Sequence, residues 1–187
     1  MLSCLRKIPR ATLMGLLNST LLCSVAAANA TEVGTNPFVV TVYSEGLGVE
    51  QLLTGHYEAA LTQMGKPQGW DEGSPLESAT NLCVAQMMTG RFDVARTTCD
   101  TAVKNARSAA VNASTWGPAA GAAHHGQDVA IAYANRAVLH WLTDDTRRAA
   151  DDLAQAKRLA PQADFVARNL TALNAKDRTL AQLEPTP

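Results

Sequence analysis

An all-α fold is predicted by three observations. Alanine dominates a 47% hydrophobic composition while aromatics make up only 5%, and few β-branched runs favour a sheet. Apolar residues recur at helical spacing, between caps and breakers, through most of the chain after residue 47. The spacing also repeats, as it does when one helical hairpin unit is used several times. At 187 residues the chain suits one domain.

The first thirty residues read as a secretory signal peptide: Arg6, Lys7 and Arg10 give a positive start, Leu13 to Val25 an apolar run, and Ala28-Asn29-Ala30 a cleavage site. The run is short of the roughly 20 residues needed to span a bilayer and is broken by Asn18, Ser19 and Thr20. Leu22 before Cys23 argues against lipoprotein processing. Cleavage after Ala30 removes three basic residues and no acidic ones, which takes the formal net charge from −1 to −4. With charges interspersed and no basic stripe, nucleic acid is excluded as a partner.

Residues 31–46 are expected to be non-helical, since Pro37 to Tyr43, PFVVTVY, is apolar and β-branched. Leu47-Gly48, Gly55, Tyr57 and Ala60 follow at hairpin spacing, but Gly46 and Gly48 weaken the first helix. Lys66 to Gly73 reads as a linker. A helix is set to begin at Pro75: Ser74 caps it, proline takes the first position, and Glu77 closes a capping box. It opens a unit running from Leu76 to about Arg107, with a turn at Gly90. Ser108 to Gln127 is an insertion, either a long loop or partly helical, because alanine favours helix while Asn112, Gly117-Pro118, Gly121 and Gly126 break it. Ala130 to Pro161 forms the clearest unit, stopped by Pro161, which lacks the N–H that a helix needs. Ala163 to Leu183 makes a final amphipathic helix and residues 184–187 a tail.

Tyr133, Ala137, Ala149, Ala156 and Pro161 fill the places of the aromatic, the small crossing residues and the terminating proline of a tetratricopeptide repeat, which this unit resembles. The preceding unit aligns with it at a constant offset, placing Cys83 over Ala137, Gly90 over Asp144, Ala95 over Ala149, Cys99 over Leu153 and Ala102 over Ala156. The resemblance covers roughly Leu47 to Leu183, poorly in residues 47–73 and well in 76–107 and 130–161. It implies a short right-handed α-solenoid of antiparallel helix pairs with a C-terminal capping helix.

Cys83 and Cys99 are the cysteines left after cleavage, and an exported chain favours their pairing; their midpoint lies at the Gly90-Arg91 turn, so a hairpin would set them opposite each other. Two buried free thiols are the alternative. His124 and His125, with His56 and His140 elsewhere, lack zinc-ligand spacing, so no metal or other cofactor is expected. No nucleophile elbow, metalloprotease helix or phosphate loop occurs. Asp151 and Asp152 diverge by about 100° around a helix and are read as surface charge. The expectation is therefore a non-enzymatic protein.

The resemblance further implies a concave groove lined by the first helix of each repeat. Glu77, Thr80, Asn81, Val84, Met87 and Met88 come from one unit; Ile131, Ala134, Asn135, Val138, Trp141 and Leu142 come from the other. Asn81 and Asn135 stand where related proteins often bond a peptide backbone with an amide, and the basic residues of the carboxylate-gripping subgroup are missing. Two readings of the groove stay open: an exposed site for another protein's peptide or helix, or core covered by the insertion or the final helix. The implied function is an exported, periplasmic or secreted adaptor with no stable membrane insertion after cleavage. The alternatives are a small enzyme or metal-binding protein centred on Trp116, His124 and His125 of the insertion, and a self-associating structural module.

Overall fold

The structure, a computed structural model, describes residues 37–65, 74–115 and 122–183; side chains 114–115, 122–124 and 176–183 also lie outside the description. The leader, the 66–73 linker, Trp116 and the tail thus fall outside the described residues, as does the side chain of His124. Among the described residues the fold is all-helical. Seven helices follow in order: α1 (Val49–Leu53), α2 (Tyr57–Met64), α3 (Pro75–Met88), α4 (Phe92–Thr115), α5 (Ala122–Leu142), α6 (Thr146–Leu159) and α7 (Asp164–Leu183).

Local signals account for the helix ends. Ser74 Oγ accepts from the Glu77 amide and Glu77 Oε2 accepts from the Ser74 amide, so α3 opens on the expected capping box with Pro75 at its first turn. Three helices end on one design. Thr54, Thr89 and Thr143 each donate their hydroxyl to carbonyls three and four residues back, and each is followed by a residue in the left-handed region. That residue is Gly55 at φ 77°, Gly90 at 75° and Asp144 at 59°. The next amide, of His56, Arg91 or Asp145, returns to the carbonyl five residues back, closing the helix with the bond pattern of a glycine C-cap. Asp144 alone carries a side chain in that conformation, which Asp tolerates better than most residues.

Each turn passes the chain to a helix packed against the one before: α1 with α2, α3 with α4, α5 with α6. Helices α4 and α5 also pack together, as do α6 and α7. The equivalences read from sequence fall on the core. Cys83, Ala137, Ala95, Ala149, Cys99, Leu153, Ala102 and Ala156 are all buried, as close helix approach requires of small side chains at a crossing. Cys83 and Cys99 are at disulfide distance across α3 and α4, 2.04 Å between sulfurs and 4.9 Å between Cα atoms.

Two expectations are refined or corrected. The insertion is partly helical: α4 runs on to Thr115 and α5 starts already at Ala122, so these two helices absorb much of it. Asp152 is not surface charge. Asp151 is exposed, but Asp152 shares the inner side of α6 with Ala149, Leu153 and Ala156 and is buried. It takes both Arg136 Nε and Nη2 at 2.8 Å, while Arg136 Nη1 reaches Asp100 at 2.8 Å. One guanidinium thus joins α4, α5 and α6, in the fork geometry that makes bidentate pairs strong.

Candidate functional site: an asparagine-lined groove

Residues 37–43 form no helix, as expected of PFVVTVY, and run across one face shared by α3, α5 and α7. Three asparagines hold them, one from each helix. Asn169 Oδ1 accepts the Val39 amide at 2.7 Å and its Nδ2 donates to the Val39 carbonyl at 2.9 Å. Asn135 treats Thr41 in the same way at 2.9 and 2.7 Å. Asn81 does so with Tyr43 at 2.8 and 3.1 Å, and its Nδ2 also donates to Glu45 O at 3.2 Å.

The register has a simple cause. In an extended chain the N–H and C=O of one residue face the same edge, and the next residue faces the opposite edge. A carboxamide carries one acceptor and a donor group side by side, so it matches every second residue: Val39, Thr41 and Tyr43. These bonds read backbone and carry no side-chain preference. The asparagines are fully enclosed, at 2%, 1% and 0% exposure for Asn81, Asn135 and Asn169. A buried carboxamide without partners is costly, so the face is complete only with a strand upon it.

Side-chain contacts hold the two ends of the segment. Phe38 is buried, its ring centroid 4.7 Å from that of Trp141, and Val40 and Val42 pack against the main core cluster. At the other end Tyr43 donates its hydroxyl to Asp128 Oδ1 at 2.8 Å. Burial, with that bond to a carboxylate and the nearby charges of Asp128 and Glu77, holds the phenol well above its ordinary range.

Of the residues expected to line a groove, Asn81 and Asn135 reach the strand's backbone and Trp141 meets Phe38. Thr80, Val84, Met87, Ile131, Ala134 and Val138 are buried, and Thr80 donates to Leu76 O within its own helix. Met88 and Leu142 are half-buried against the same core. Glu77 serves the cap of α3. The segment lying over this face is the N-terminal one, where the covering candidates had been the insertion and the final helix. The final helix contributes a third asparagine instead.

Sequence reasoning missed Asn169, Phe38 and Asp128. A signal for Asn169 was present, because it follows Asn135 at 34 residues, the length of one tetratricopeptide repeat. Reading α7 only as a cap hid it. At the insertion, His125 Nδ1 lies 3.8 Å from Asp128, and His140 Nε2 lies 3.7 Å from Asp152 with its pKa lowered chiefly by burial. Among the described residues no three His, Cys, Asp or Glu side chains gather as metal ligands, and no helix is long and apolar enough to cross a membrane. Comparison with family models, with curated proteins and with solved structures gave no match.

Proposed function

We propose that this protein is an exported, non-enzymatic binding scaffold of the tetratricopeptide-like kind, a short solenoid of antiparallel helix pairs whose concave face holds an extended polypeptide. The observation that carries the reading is the row of three buried asparagines spaced to serve alternate residues of one strand. Three turns of one design and a core of small residues at equivalent places support the repeat architecture. The basic, apolar and small-residue pattern of residues 1–30 supports export to the periplasm or beyond, and a Cys83–Cys99 pair suits an oxidising compartment.

In this reading residues 38–43 are the resident occupant, and partners engage by taking their place. Main-chain bonds supply affinity, and the positions of Phe38 and Tyr43 supply preference, as in other modes of strand recognition. A photoreactive aromatic residue in place of Trp141, which meets Phe38 of the segment, tests it in cells. Crosslinks to a second polypeptide are expected. Crosslinks that never leave the protein's own chain would contradict the reading.

A further inference from the structure

The one ligand whose fit to the groove is known atom by atom is the chain's own segment, and every copy of the chain carries both halves. We propose that the groove's partner is a second copy, with residues 37–43 of each protomer exchanged into the asparagine row of the other. The proposal rests on the strand-holding reading above and names the occupant.

Three features of the structure support exchange. The bonds to Val39, Thr41 and Tyr43 involve backbone and asparagine alone, so the same segment from another copy makes all of them again. The segment leaves the groove through Ser44, Glu45 and Gly46, all exposed, before the chain turns back into α1. That hinge depends on Gly46 at φ 103°, a backbone conformation closed to most other residues. Opening the hinge frees the segment without disturbing a helix, and exchange of an identical element is a low-cost route to a dimer. The closed form is favoured by its short tether, which sets an effective concentration in the millimolar range. Strain placed in the hinge lessens that advantage.

Gly46→Val applies such strain. A Cβ added at Gly46 meets nothing within 4 Å, so the strain of the change lies in the backbone of the closed turn. Light scattering on the size-exclusion peak, together with native mass spectrometry, should show the Gly46→Val dimer fraction raised about tenfold over the parent at equal concentration, the effect of 1.4 kcal/mol. Excess unlabelled peptide of residues 36–45 should reverse that gain, because it takes the groove from the exchanged segment. A concentration series on the unmodified chain, mixed with an isotope-labelled copy, gives a reading that needs no variant: mixed dimers should appear as concentration rises.

A fluorescent peptide of residues 36–45, NPFVVTVYSE, separates the failures. A Gly46→Val protein that stays monomeric yet binds the peptide overturns exchange between copies and leaves the strand-holding groove standing. A monomer that ignores the peptide overturns both. Dimerisation that survives with the peptide bound places the contact on another surface and overturns the proposal.

Discussion

Replacing Asn135 by alanine removes the middle rung of the row and leaves the other two intact. Asn135 gives Thr41 two hydrogen bonds, at 2.9 and 2.7 Å. At about 0.5–1.5 kcal/mol net for each, their loss weakens docking of the segment by roughly 1–3 kcal/mol. The loss should fall on the segment and not on the whole fold, because Asn135 lies on the groove face of α5 and alanine suits a helix interior. Native-state hydrogen exchange reads the difference at the amides of Val39 and Tyr43, which keep their own partners, Asn169 and Asn81. If the segment detaches as one unit, both amides should exchange faster by roughly 5- to 150-fold, the range that about 1–3 kcal/mol sets. Amides in the centres of α3 and α6 should change far less. Unchanged exchange at Val39 and Tyr43 would refute the idea that three asparagines hold one cooperative strand.

Other consequences concern separate parts of the molecule. Tyr43 stays protonated when docked, whereas a released phenol ionises near pH 10; its folded pKa is raised, so its contribution holds below pH 10 and is lost as pH rises beyond it. A tyrosinate titration of the native protein compared with Tyr43→Phe should therefore show no component for Tyr43 at pH 10, and finding one would contradict its bond to Asp128. Non-reducing peptide mapping should find Cys83 linked to Cys99, and the Cys83→Ser, Cys99→Ser pair should lose on the order of 3 kcal/mol for a loop of about 15 residues; two free thiols in protein from its native compartment would oppose this. Ser74→Ala should cost about 1 kcal/mol through loss of the α3 cap, read as a lower midpoint in urea unfolding. Mass spectrometry of the exported form should begin at Thr31, and an intact Met1 on the mature protein would remove the export argument.

Local chemistry was legible in the sequence where a short window contains the cause. Ser74, Pro75 and Glu77 announce α3 because all partners of the cap lie within four residues. Gly90 and Asp144 aligned with each other through the constant offset of the two units, and each follows a threonine that closes its helix. Longer-range placement was harder to read. PFVVTVY declares itself extended, yet nothing within it says that its bonds lie with residues 38 to 130 positions away. Asn169 was hidden by the same limit, since an asparagine in an amphipathic helix ordinarily faces water. Asp152 was misread because its partner, Arg136, lies on the preceding helix, and periodicity within α6 cannot show that partner.

The central claim is that residues 38–43 lie along the asparagine row, and nuclear magnetic resonance of the protein tests it most directly. The account predicts Overhauser contacts between the Phe38 ring and the Trp141 indole, and between the Asn135 side-chain amide and the Thr41 backbone. It also predicts slow exchange at the Val39, Thr41 and Tyr43 amides. Random-coil shifts and fast exchange throughout residues 37–43 would contradict it.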